Sequence, residues 1–396
     1  MDNAAAGRHA ALDAISKVIR VAFGTTVLER GLVQNAVDGI GNYSRELQRR
    51  LDGKNGLKLF PFVYSSELPR SPSCTKGADF GPFRAQAIYS MITGQAFPIA
   101  AQRVSGTIDL VHATDHLIPR LPRTPVVATL MDAIPLAHPE WVTQSLRRLK
   151  NALWRHSAGW ADHVITISEH AKQELIQWFR LPEERITVTP LGVDQRWFVA
   201  PTSSDVGRVN ATYSLPERFF LFVGTLQPRK NVSRLIEAHR RLPNALRREF
   251  PLVVAGRAGW GCDAEVAALN EGDQGALRWL RYVPDEDLVP LVSRATALGF
   301  PSLHEGFGLP LLEAFAVGVP VLSSNATSLP EVAGDAAMLF DPNQPDEIAE
   351  AMKSLINDEA LAGQLRARGR ERAALFTWER TTEMTADVYR RVLGSR

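Results

Sequence analysis

Short apolar runs alternate with amphipathic stretches along the chain. KVIRVAF (17–23), TIDLVHAT (107–114), PVVATLMD (125–132) and HVITIS (163–168) are short β-type runs rich in branched apolar residues and predict strands. Between them DGIGNYSRELQRRL (38–51), SLRRLKNALWRHSAGW (145–160) and EHAKQELIQWF (169–179) predict helices, and RITVTPLGVD (185–194) closes the series. VAPTSSDVGRVNATYSLPER (199–218) is rich in Pro, Ser, Thr and Gly without a firm period, and reads as a linker. The rhythm then restarts. FFLFVGT (219–225), PLVVAG (251–256), LRWLRYV (277–283), ALGFPS (297–302), PVLSS (320–324) and AAMLF (336–340) predict strands. Helices are expected over 231–242, after residue 308, from about Asp346 and Asp358, and over 377–393. The pattern predicts an α/β protein of two doubly wound Rossmann-like domains, residues 18–198 and 219–376, after an N-terminal extension (1–17). Ligands of such sheets sit beyond the carboxyl ends of the strands, so the expected site is a cleft between the two domains.

Composition adds mainly exclusions. The chain has 396 residues, ample for two domains, and a formal net charge of +2, which gives no global field for nucleic acid. Residues 1–195 hold 22 Lys+Arg against 18 Asp+Glu, and the remainder holds 23 against 25. The basic first half, with Arg147, Arg148, Lys150, Trp154, Arg155 and Trp160 on one predicted helix, suits a solvated face or peripheral contact with an anionic membrane. Two cysteines, Cys74 and Cys262, without metal-ligand spacing argue against a disulfide framework or structural zinc. The first residues make a poor signal peptide and no run reaches the roughly 18 apolar residues of a membrane span, so a cytoplasmic protein is expected.

Three strand ends of the second domain carry chemistry. In GTLQPRKN (224–231), Arg229 and Lys230 precede a helix, where a basic pair opposes the usual dipole preference and suits a di- or polyphosphate. In RYVPDEDL (281–288), Asp285 is the expected N-cap, and the turn through Tyr282 and Val283 offers flat surface for a nucleobase. In HEGFGLPLLEAFAVGVPV (304–321), Glu305 and Glu313 stand eight residues apart around Gly306 and Gly308, with Pro310 fitting the helix start and Gly318 its end. Carboxylates accept paired bonds from vicinal hydroxyls. Hydroxyls for the glutamates and phosphates for the cations and glycine amides together describe a sugar nucleotide. In the first domain Gly39 and Gly41 open a helix and can approach a diphosphate. His112 and Asp132 stand at strand ends facing the cleft as catalytic candidates, the alternative for each being a buried, satisfied polar group.

These motifs, with SLPEVAGDAAMLFDP, DGIGNYSREL, ADHVITISEHAKQEL and ITVTPLGVD, resemble glycosyltransferase family 4, retaining enzymes of the GT-B fold, from about residue 18 to the end. The resemblance implies that Glu313 binds the donor ribose, that Glu305 lies near the transferred sugar, and that the amides of Gly306, Phe307, Gly308 and Leu309 contact sugar and phosphate. It gives Lys230 the diphosphate and returns the last helix, about 377–396, to the first domain. Many relatives carry arginine where this chain has Thr225, which leaves Arg229 as the second cation. Relatives also carry histidine where this chain has Met131, in the sugar pocket. Methionine packs well on a methyl group, which points to a 6-deoxy sugar such as rhamnose or fucose, unless Asp132 replaces the histidine with a mannose-type donor. The expected reaction is hexose transfer from a nucleotide sugar, GDP-linked, to a glycan or lipid-linked oligosaccharide in surface polysaccharide or O-antigen synthesis, with no metal or other cofactor. A GT-B nucleotide-sugar epimerase and a non-catalytic nucleotide-sugar-binding partner are the alternatives.

Overall fold

A computed structural model describes residues 18–34, 37–54, 56–69, 77–141 and 147–395. The N-terminal extension and the side chains of Arg147 and Arg148 lie outside the described residues. The first sheet has seven parallel strands: β1 (Ile19–Gly24), β2 (Leu57–Val63), β3 (Ala78–Asp79), β4 (Leu110–Ala113), β5 (Val126–Thr129), β6 (His163–Thr166) and β7 (Ile186–Val188), in the order β3-β2-β1-β4-β5-β6-β7. The second has six: β8 (Phe220–Val223), β9 (Leu252–Ala255), β10 (Leu277–Arg281), β11 (Ala297–Phe300), β12 (Val321–Ser324) and β13 (Ala337–Phe340), in the order β10-β9-β8-β11-β12-β13. Strand order reverses at β1/β4 and at β8/β11. These are the two places where strand ends open a crevice. Four buried residues in a row in each of β4, β5, β6, β9, β11 and β12 reflect helices on both faces.

The segment 199–218 departs from the expectation of a featureless linker. It contains a helix, Ser203–Tyr213, started by Thr202, whose side chain accepts from the Asp205 backbone N–H at 3.1 Å. Val209 is fully buried, and the helix packs on Asp285–Ser293. In the basic helix Arg147–Ala158, Trp154 packs on the first domain's core, and so does Trp160 just beyond it; Lys150 Nζ lies 4.6 Å from the Trp154 ring.

The last helix, Trp378–Gly394, lies against the first domain. Thr381 donates to the Pro190 carbonyl at 2.6 Å and the Tyr43 and Trp378 rings stand 6.4 Å apart. The chain crosses there against Gly192, where a Cβ would come within 2.1 Å of the Trp378 nitrogen, so only glycine fits. One apolar cluster runs from Phe23 and Ile165 of the first sheet through Trp197 and Trp378 into Phe307, Leu311 and Phe315 of the second domain.

Candidate active site

Between the domains lies a cleft of about 690 Å³. Gly39 reaches it from the first domain, Arg196 from the crossing segment, and Thr225, Val283, Leu309 and Glu313 from strand ends of the second. Gly41, two residues further into its helix, is buried and donates its backbone N–H to Asp38 at 2.8 Å, which caps that helix. Of the GxG pair, therefore, Gly39 lines the cleft and Gly41 packs.

Gly308 begins the helix Leu309–Val317 at φ 108° and Gly318 ends it at φ 78°, both left-handed. The two glutamates of this stretch are in different surroundings. Glu313 is half-buried, faces the cleft, and has no hydrogen-bond partner among the described residues. Burial raises its pKa to about 7, against the lowering charge of Arg196. Glu305 is buried and saturated. It takes bonds from Arg229 Nη1 at 2.8 Å, from Lys230 Nζ, and from Ser302 Oγ at 2.8 Å. Burial would raise its pKa, but Lys230 and Arg229 bring it down to about 2, so it is ionised. Arg229 and Lys230 thus form a mixed-charge cluster with Glu305 rather than a bare anion site. Lys230 Nζ also lies 4.9 Å from the Phe300 ring. Gly306 and Phe307 meet other parts of the protein: Ser168 of the first domain donates to the Gly306 carbonyl at 2.7 Å, and Phe307 packs edge-on to Phe376.

Across the cleft, Met131 and Asp132 face Gly306. A Cβ on Gly306 would lie 2.7 Å from the Met131 carbonyl oxygen and 3.5 Å from Asp132 Cβ. The Asp132 carboxylate accepts from the Ile134 N–H at 3.0 Å, and burial raises its pKa. His112 is corrected. It is fully buried at the middle of the first domain, with Nδ1 bonded to Tyr389 at 2.6 Å and Nε2 to Thr129 at 2.8 Å. Burial lowers its pKa to about 3. The final helix covers the strand end that would otherwise have opened it to the cleft. Asp285 is also corrected: Pro284 is the N-cap, and Asp285 is the first helical residue, bonded to Arg196 at 2.7 Å.

Sequence reasoning missed Arg196, which lines the cleft beside Glu313; it follows no strand and no periodicity marks it. It also missed Thr327 and Ser328. Thr327 Oγ1 accepts from the Glu305 N–H at 3.1 Å, and Ser328 Oγ donates to the carbonyls of Glu305 (2.9 Å) and Phe307 (3.1 Å), fixing the loop from behind. Tyr282 stacks with Arg257, whose guanidinium carbon is 4.0 Å from the ring centroid at the cleft wall.

Two parallel α/β domains facing across a cleft, with an anion-pairing cluster and an open carboxylate, are the architecture of a GT-B glycosyltransferase. The chain belongs to glycosyltransferase family 4. Residues 37–197 match the profile described as Glycosyltransferase Family 4, and residues 211–372 that described as Glycosyl transferases group 1. Over 373 residues it is 32% identical to O-antigen chain mannosyltransferase B of Escherichia coli, covering 90% of this chain and 97% of that one. Sucrose-phosphate synthase from Thermosynechococcus elongatus superposes with a TM-score of 0.71 at 20% identity, over 96% of this chain and 100% of that one. Anabaena HepE in complex with UDP and glucose superposes with 0.69 at 18%, over 94% and 100%. Both structures share the fold.

Proposed function

We propose that the protein transfers mannose from a nucleotide-linked donor, GDP-mannose by preference, to a hydroxyl of a growing surface polysaccharide such as an O-antigen chain, with retention at the anomeric carbon. The unpaired Glu313 carboxylate in the cleft carries this reading. It suits two vicinal ribose hydroxyls, with Tyr282 and Val283 on the wall beside it for the base. The mannosyltransferase relative supports the sugar.

In this reading the donor diphosphate draws Arg229 and Lys230 toward itself, offsetting charge that grows on the leaving group. Glu305 keeps both cations in place and meets the sugar. The glycosidic C–O bond to the diphosphate breaks. The acceptor oxygen bonds to the anomeric carbon on the same face, and its proton passes to the departing phosphate oxygen. Asp132 sits across from Gly306, where it can orient the sugar or the acceptor hydroxyl. The two cations supply the charge a metal otherwise would, so transfer proceeds without one. A second reading rests on Met131, whose thioether would pack on the methyl group of a GDP- or dTDP-linked 6-deoxyhexose. A thermal-shift panel of nucleotide sugars followed by turnover and NMR of the product tests both. GDP-mannose turnover to an α-linked product, with no need for added Mg²⁺ or Mn²⁺, supports the first; preference for a 6-deoxy donor replaces it with the second. Inverted product or a rate that requires added Mg²⁺ or Mn²⁺ would overturn the mechanism.

A further inference from the structure

We propose that His170, Glu174 and His304 bind a borderline transition-metal cation, zinc being the fitting ion, at a site that bridges the two domains outside the donor cleft. His170 and Glu174 stand four residues apart on one face of the helix Glu169–Glu174. His304 comes from the second domain, in the loop just before Glu305. One ligand atom from each residue lies within 4.8 Å of the other two. His304 Nε2 is 2.7 Å from Glu174 Oε1, and His170 Nε2 is 3.9 Å from the same oxygen.

Two independent observations point to a ligand. The first is the donor set, two imidazoles and one carboxylate, which matches the His₂Glu sites that keep an open position for water. Tetrahedral ligands at zinc distances sit about 3.4 Å apart. The observed separations of 2.7 and 3.9 Å fall on either side of that value, so small side-chain shifts would close the site. The second is the state of the rings. The enclosed Nε2 of His170 has no hydrogen-bond partner among the described residues, and its ring stands 5.7 Å from that of His304, which is 3% exposed. Buried polar atoms without a partner are exceptions that call for a reason. A cation takes up His170 Nε2 directly, with His304 Nε2 and Glu174 Oε1 as the other two protein ligands. The side chain of His170 is 32% exposed, which leaves an entry path from solvent. The Ala133 N–H, 3.5 Å from Glu174 Oε2, supports the carboxylate from behind. Imidazole ligands select zinc, cobalt or nickel over magnesium and calcium.

The cation would tie a helix of the first domain to the loop that holds Glu305. It is a clamp on the closed arrangement and takes no part in bond making. The test titrates Co²⁺ into the metal-free, full-length protein. One equivalent should produce visible d–d absorption of a four- or five-coordinate centre, and Zn²⁺ but not Mg²⁺ should abolish it. His170→Ala should weaken Co²⁺ binding at least tenfold while keeping the metal-free melting temperature and nucleotide binding. If His170→Ala does not fold, His170→Asn serves the same purpose. Absence of the visible band in the wild type, or an unchanged spectrum and affinity in a folded His170 variant, overturns the site.

Discussion

Glu305 and Glu313 lie on the same loop-and-helix unit, yet one is enclosed by cations and the other has no hydrogen-bond partner among the described residues. The difference makes a pH test specific to Glu313. Its pKa is raised to about 7 by burial, so below that pH the free protein holds it protonated and neutral. In the proposed ribose contact only the ionised carboxylate would accept from both hydroxyls. Nucleotide-sugar affinity should therefore fall as pH drops below 7, approaching tenfold per pH unit, and Glu313→Gln should bind weakly with little pH dependence. Calorimetric titrations of both proteins from about pH 6 to pH 8 check this. A flat wild-type profile would remove Glu313 from the ribose. His112 carries the opposite expectation. In the unfolded chain it titrates near 6.5 and in the folded protein near 3. The unfolded state thus binds the extra proton in that window, and this group's contribution to stability is lost as pH falls from about 6.5 toward 3. His112→Ala strands the Tyr389 hydroxyl, leaves the Thr129 hydroxyl with only Tyr43 and opens a cavity, costing roughly 2–4 kcal/mol in urea denaturation. Turnover per folded molecule should hold. A folded variant of unchanged stability but lost turnover would restore His112 to the catalytic group.

Elements were legible where their own residues decide them. Strands β8, β9 and β11 of the second domain are nearly continuous apolar runs, and the glycine-bounded helix Leu309–Val317 announces both its ends. Strand β2 was missed because Pro61 interrupts LKLFPFV, and β3 because two residues carry no period. The same limit hid the helix Ser203–Tyr213, where composition spoke for a linker and only Val206, Val209 and Tyr213 mark an apolar face. What holds that helix is a distant partner. Tyr213 donates to Asp287 at 2.6 Å, and Arg208 pairs with the same carboxylate, which is 4% exposed. Burial would raise the Asp287 pKa, but Tyr213 and Arg208 together lower it. Tyr213→Phe should cost about 1–2 kcal/mol, because it leaves one lone pair of a buried carboxylate unmet. Asp287→Asn with Tyr213→Phe should cost less than the sum of the single changes, a coupling that a double-mutant cycle in urea would measure. Strict additivity would mean that the two side chains do not share the bond. The site followed the same rule. Strand-end positions in the second domain were readable, whereas the His112 environment depends on Tyr389, 277 residues away, and the His304–Glu174 bond spans 130 residues. No local pattern encodes either.

For the whole molecule, the consequential feature is how the two domains meet beside the reacting groups. Polar contacts that cross between them include Ser168 to the Gly306 carbonyl at 2.7 Å, Glu174 to His304 at 2.7 Å, and Glu331 accepting from the Glu169 N–H at 2.9 Å. The last places a carboxylate at a helix start, where the exposed N–H groups favour it. All three lie within a few residues of Glu305, Asp132 or the loop behind them, so closing the domains and assembling the site are the same event. Gly306 marks the tightest point, since any side chain there would press on the Met131 carbonyl. Gly306→Ala must hold the domains apart by a fraction of an ångström to about one ångström. Each domain has its own sheet, and Glu313, Thr225 and Val283 all belong to the second. Nucleotide diphosphate binding should therefore stay within about threefold of wild type, whereas turnover should fall on the order of a hundredfold, because misplacement of reacting groups by an ångström has that cost. Calorimetry with the nucleotide diphosphate and initial rates with the nucleotide sugar separate the two effects, and small-angle scattering should show a slightly larger radius of gyration. Parallel losses in binding and rate would instead mean that Gly306 shapes the donor site itself rather than the approach of one domain to the other.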